Sequence, residues 1–146
     1  MIYSALTNKA VDIAYDAHHG QRDKAGRPYF LHVVHVAEQM NDEFSTCAAL
    51  LHDTLEDTDL TVEFLEREFP REVVEAVKLL THRDGTDYFS YVRQVNRNPI
   101  ARKVKLADLQ HNLGGSRFSG CDETLIEEAQ RRKAKYLKAL EILSED

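Results

Sequence analysis

Long apolar runs are missing from this chain of 146 residues, and a bilayer-spanning helix needs about 20 consecutive apolar residues. No membrane partner is therefore expected. Cysteine is nearly absent. Cys47 lies inside an apolar run and Cys121 in an expected loop, so no disulfide framework is expected and a reducing compartment is. A basic excess is also lacking: 19 Lys and Arg against 25 Asp and Glu leave a net charge of -6. That argues against a general nucleic-acid binder, although a local basic cluster can still hold a small anion. The opening Met1-Ile2-Tyr3-Ser4 has no basic region followed by an apolar core, so no signal peptide is expected. With only 6 Gly, 3 Pro and no repeat or linker, the composition is that of a soluble globular protein. One cytoplasmic domain spanning residues 1–146 is expected, long enough to bury a core without staples.

Strict apolar–polar alternation is missing too, and helical periodicity dominates. Residues from about 5 to 19 carry Leu6, Ala10, Ile13, Ala14 and Ala17 at helical spacing. Gly20–Pro28 is a polar loop, and Tyr29 to about Asn41 reads as a second helix. Ser45 is expected to cap a third helix running into His52-Asp53. Thr61–Phe69 reads as a short helix, and Pro70 suits the first turn of the next. After Asp84-Gly85 comes an aromatic-rich helix with Tyr88, Phe89 and Tyr91, read as core. Pro99 opens a helix to about Leu113, stopped by Gly114-Gly115. A polar loop, Ser116–Asp122, precedes a last helix from about Glu123 to Leu143, whose basic residues 131–135 are read as an exposed face. The expectation is an all-α bundle of seven or eight helices.

The chemistry concentrates in Ala48–Thr58, where an apolar run ends in His52-Asp53 and Glu56-Asp57 follows. Projected as one helix, His52, Asp53, Glu56 and Asp57 share an arc of roughly 140°, with Leu51, Leu55 and Ala48 opposite. Carboxylates crowded this way repel unless a cation sits among them. Asp108, in the Pro99 helix, sits between apolar stripes with Lys105 and Asn112 on its own face. Two readings stand: an ion pair with Lys105 three residues earlier, or a metal ligand from a facing helix. His32 points inward with Val33, Val36 and Met40. His35 reads as structural or as supporting a ligand, and His18 and His19 as holding the Gly20–Pro28 loop.

In that order, His32, His52-Asp53 and Asp108 resemble the pattern of the HD-domain metal phosphohydrolases. The flanking sequence narrows the resemblance. Gly20-Gln21 through Gly26, then Pro28-Tyr29 and His32, is similar to the start of the hydrolase domain of RelA/SpoT-type alarmone enzymes. Ala49-Leu50-Leu51-His52-Asp53 with Glu56-Asp57-Thr58 is similar to their central motif, and Lys105-Leu106-Ala107-Asp108 with His111-Asn112 to their last metal motif. The resemblance spans about residues 10–140 and implies an HD-type helical fold and a small, hydrolase-only enzyme. It implies His32, His52, Asp53 and Asp108 as metal ligands, with Mn²⁺ as the ion. Glu56 and Asp57 would position and activate the attacking water. Arg22 and Lys24 (or Arg27), Lys105, Asn112 and Tyr136 would contact a nucleotide whose 3′-pyrophosphate is released, guanosine tetra- or pentaphosphate, (p)ppGpp.

Two departures bear on the substrate. The relatives carry Arg-Lys where this chain has Asp23-Lys24, and Pro after the first His where it has Val33. Another nucleotide (a monophosphate, a dNTP or NADPH) is the alternative substrate. A non-catalytic regulatory module is a third reading, against which all six metal and water-handling positions are filled. Homo-oligomerisation stays open.

Overall fold

The computed structural model describes residues 1–114 and 123–145, and among them there are helices and no sheet. The helices are α1 (Ala5–Ala17), α2 (Phe30–Glu38), α3 (Glu43–Leu51), α4 (Thr54–Asp57), α5 (Val62–Glu68), α6 (Arg71–Leu80), α7 (Tyr88–Asn96), α8 (Pro99–Leu113) and α9 (Glu123–Leu143). The expected all-α architecture is present. The added helical segment is the single turn α4. The loop at Ser116–Asp122, with Cys121 in it, lies outside the described residues.

Helix ends follow from local chemistry. Ser4 caps α1 reciprocally with Thr7, its Oγ accepting from Thr7 N at 3.1 Å while Ser4 N donates to Thr7 Oγ1 at 2.8 Å. Asp42, not Ser45, caps α3, with Asp42 Oδ1 accepting from Ser45 N at 2.8 Å. The ionised carboxylate suits the positive end of the helix better than a hydroxyl would, and Lys103 Nζ holds its other oxygen at 3.1 Å. Ser45 is itself buried inside α3. Asn98 caps α8 ahead of Pro99, and the helix stops at Gly114, whose N–H reaches His111 O at 3.1 Å.

Packing centres on α3. Every residue from Ser45 to Leu51 is buried, and α3 touches α1, α2, α6 and α8. Ala48 and Ala49 allow the close approach of those neighbours, while Leu50 and Leu51 fill the space between them. Each buried leucine contributes about 1.5–3 kcal/mol. A second layer forms where α7, α8 and α9 meet one another, with Tyr91, Val92, Val95, Ala139, Ile142 and Leu143 in the core.

One expectation is corrected. The helix does not run on through His52-Asp53. It ends at Leu51, Asp53 adopts φ -103, ψ 2, and a new turn starts at Thr54. The break is locally satisfied, with His52 Nδ1 bonded to Ala49 O at 2.5 Å and Thr54 Oγ1 donating to Leu51 O at 2.8 Å. These side chains take up carbonyls that a helix end leaves open. The His-Asp pair therefore sits at the corner of the central helix, facing α2 and α8.

Candidate metal centre

Helix α2 carries His32 inward until it is 3% exposed, and its Nε2 lies 2.9 Å from Asp108 Oδ1 on α8. At the α3 corner, His52 Nε2 stands 3.0 Å from Asp53 Oδ2 and 3.7 Å from Asp108 Oδ1. Donor atoms of His32, His52 and Asp53 all lie within 4.8 Å of one another, as do carboxylate oxygens of Asp53, Glu56 and Asp57. The projection from a continuous helix was geometrically wrong, yet the groups it gathered do converge.

Asp108 makes the expected ion pair with Lys105 and also turns an oxygen towards the histidines. Its Oδ2 accepts from Lys105 Nζ at 3.1 Å, while Oδ1 faces His32 and takes a longer bond from Asn112 Nδ2 at 3.3 Å. Asp53 Oδ2 also accepts from the Tyr29 hydroxyl. The sequence reading gave Tyr29 no such role. Its only signal was the Pro28-Tyr29 pair three residues before His32.

Electrostatics follow from burial. Burial works against the charge on Asp108, but Lys105, the bond from His32 and the nearby His52 hold its carboxyl well below the usual range. Asp53 is likewise opposed by burial, yet His52 and the Tyr29 hydroxyl bring it down to about 2. For His52, burial disfavours the cation, but the charges of Asp53 and Asp108 push its pKa well above the ordinary value. Burial raises Glu56 and Asp57, with the nearby Asp53 charge adding to it.

The residues fit a divalent ion. His52 Nε2 is buried and has no aligned hydrogen-bond partner, although two carboxylate oxygens lie nearby. Two imidazoles and two ionised carboxylates pointing at one space require a positive charge there, as a proton or as a metal. This nitrogen-and-oxygen set suits a first-row divalent ion with positions left open.

A cavity of about 370 Å³ opens over these groups. Each of Arg22, Lys24, Lys105, Asn112 and Tyr136 lines it, together with Glu56 and Asp57. Arg27 does not; its backbone N–H instead bonds Asp23 Oδ1 at 3.0 Å. The Gly20–Pro28 loop is held to the site by Gln21, which donates to Asp57 O at 2.9 Å and pairs with His18 Nδ1 at 2.9 Å. That bears out the expected role of His18 in holding the loop. Gly26, at φ 85, makes the turn at its tip.

In the 131–135 segment Arg131, Lys133 and Lys135 are exposed, as expected, and Arg132 is half-buried; two of these basic residues also reach the site. Arg132 lines the main cavity, and Lys135 lines an adjoining one of about 150 Å³ shared with His52, His82, Tyr88 and Tyr91. Lys135 Nζ lies 4.1 Å from the Tyr88 ring centre. The signal was available in the spacing, since Arg132 and Tyr136 are i and i+4 on one helix face. Tyr91 is core, as expected, with its hydroxyl donating to Leu80 O at 2.6 Å, although both it and the less buried Tyr88 line the smaller cavity.

The chain resembles known proteins in the same region. The HD-domain family model matches residues 10–111. A Synechocystis protein named "Probable guanosine-3′,5′-bis(diphosphate) 3′-pyrophosphohydrolase" is 33% identical over 91% of this chain and 19% of its own length. The guanosine-3′,5′-bis(diphosphate) 3′-pyrophosphohydrolase of Haemophilus influenzae is 36% identical over 69% of this chain and 17% of its own. The chain thus spans under a fifth of the length of these curated relatives. A solved structure of a metazoan SpoT ortholog, described as hydrolysing ppGpp, superposes with a TM-score of 0.77 at 27% identity, covering 99% of this chain and 88% of that one. The matched segment holds His32, His52, Asp53 and Asp108 in the converging arrangement above, and on that match the chain belongs to the HD-domain family.

Proposed function

We propose that this chain is a single-domain, divalent-metal-dependent phosphohydrolase, acting in the cytoplasm, that removes the 3′-pyrophosphate of (p)ppGpp. The observation that carries the reading is the junction of two features in one cavity. His32, Asp53 and Asp108, with His52 packed beside them, meet a wall of Arg22, Lys24, Lys105 and Arg132. The structural neighbour and the two pyrophosphohydrolases support the same substrate.

In this reading the four residues hold Mn²⁺, which when bound lowers the pKa of water and draws charge from a phosphoryl oxygen. Glu56 and Asp57 accept the proton of the attacking water. The water oxygen bonds to the phosphorus attached at the 3′ oxygen, that P–O bond breaks, and the proton taken from the water is passed back from the carboxyl to the 3′ oxygen, which leaves as a hydroxyl. Glu56 is oriented for this by His82 N, which donates to its Oε1 at 2.7 Å and leaves the other oxygen free of that bond. Arg22, Lys24 and Arg132 neutralise phosphates, and Asn112 and Tyr136 contact the nucleoside.

A second reading, another nucleotide substrate, is favoured by Asp23. It lines the cavity, and its Oδ1 is committed to Ala25 N and Arg27 N at 2.9 and 3.0 Å, so an acidic residue shapes the loop beside the substrate. The test is a Mn²⁺-supplemented panel of ppGpp, pppGpp, NADPH, nucleoside monophosphates and dNTPs, with products separated by chromatography. Pyrophosphate from ppGpp is expected. Turnover of another member with ppGpp untouched would overturn the substrate.

A further inference from the structure

Two more imidazoles stand behind His32. His32 Nδ1 lies 2.6 Å from His111 Nδ1, with the rings stacked at 4.9 Å and 16°. His111 in turn stacks on His35 at 4.0 Å and 23°. Two ring nitrogens approach this closely only when one carries a proton and the other a lone pair, because two N–H groups or two lone pairs repel.

The opposite nitrogen of His32, Nε2, is the one that faces Asp108, His52 and Asp53. An imidazole that gives its Nε2 lone pair to a metal keeps its proton on Nδ1 and donates it to a partner. His32 is buried, so water does not take that proton; the acceptor the structure offers is His111 Nδ1. His111 must then hold a lone pair on Nδ1 and carry its own proton on Nε2.

We propose that His111 is a positioning residue for the metal centre: it accepts the Nδ1 proton of His32 in the tautomer that would turn the Nε2 lone pair to a cation, and it fixes the plane of that ring. The proposal rests on His32 being a ligand. Its geometric strength is that Asp108 and His111 are three residues apart on α8. One helix thus supplies the carboxylate in front of His32 and the acceptor behind it. His35 packs against His111, in line with the structural reading of that residue.

The test is Mn²⁺ affinity, measured by titration calorimetry on chelator-stripped protein. In His111→Phe, which keeps a flat ring and loses the acceptor, affinity is expected to fall about 10–100-fold. His111→Gln, whose amide oxygen can accept from Nδ1–H, is expected to recover part of the loss. Wild-type affinity in His111→Phe, or equal losses in both variants, would overturn the proposal. His32→Ala run in parallel separates the two readings, since undiminished affinity there sinks the ligand assignment itself. Should His111→Phe fail to fold, nitrogen-15 spectra of the Zn²⁺-loaded wild-type protein give the tautomers directly. Protons on His32 Nδ1 and His111 Nε2 are expected, and the reverse assignment overturns the proposal.

Discussion

Metal uptake at this centre should expel about one proton, and that proton belongs to His52. Asp53 and Asp108 are both held below the ordinary carboxylate range and are already ionised near neutrality. They have nothing to release. His52 is different: burial disfavours its cation, but Asp53 and Asp108 together raise its pKa well above 6.5. A metal must therefore displace that proton to reach Nε2. While His52 is protonated in the free protein, each pH unit gained should raise metal affinity about tenfold, or about 1.4 kcal/mol. The assay is calorimetric titration of Mn²⁺ at pH 6.5, 7.0 and 7.5 in buffers of different ionisation enthalpy, which reads proton release directly. Flat affinity across that range with no proton released would refute the reasoning. The sign for stability runs the other way. A raised histidine pKa stabilises the metal-free fold fully below the unfolded value near 6.5, and that contribution is lost as pH rises through the folded value. The metal-free protein should lose thermal stability on the alkaline side, and bound metal should restore it.

Asp53→Ala and Asp108→Ala should each abolish metal binding while leaving the helical content intact; full occupancy by elemental analysis in either variant would remove that residue from the ligand set. Glu56→Gln should keep the metal and lose about 10²–10⁴-fold in turnover, and a wild-type rate would exclude Glu56 from handling the water. Asp42→Ala deletes the α3 cap and the exposed contact with Lys103, and should cost about 1 kcal/mol, seen as a melting temperature lower by about 2–4 °C. An unchanged melting temperature would mean that α3 is held by packing alone.

The helices were legible because their signals are local. Periodicity, the Pro99 start and the Gly114 stop all act within a few residues of the chain, and α8 and α9 span the residues expected of them. The candidate ligands were legible in part for a related reason, since acids and histidines beside apolar runs imply a cation or a partner; the set of four came from the resemblance to the HD-domain pattern. The break between α3 and α4 was not legible, because it depends on His52 and Thr54 capping Ala49 and Leu51, and neither residue type forces that choice. The Ser45 cap failed on a similar competition, with Asp42 three residues earlier offering a charged acceptor.

By itself the sequence determined an all-helical chain, the residues able to hold a metal, and a basic loop ahead of His32. Only the tertiary structure decided which atoms meet: Tyr29 on Asp53, His32 on the Asp108 oxygen opposite Lys105, Arg132 and Lys135 over the cavities, and His111 behind His32. The physical reason is reach. Helical spacing assigns each side chain to a face, but contacts between residues 24 to 79 positions apart depend on how the helices dock, and burial of the core around α3 sets that docking.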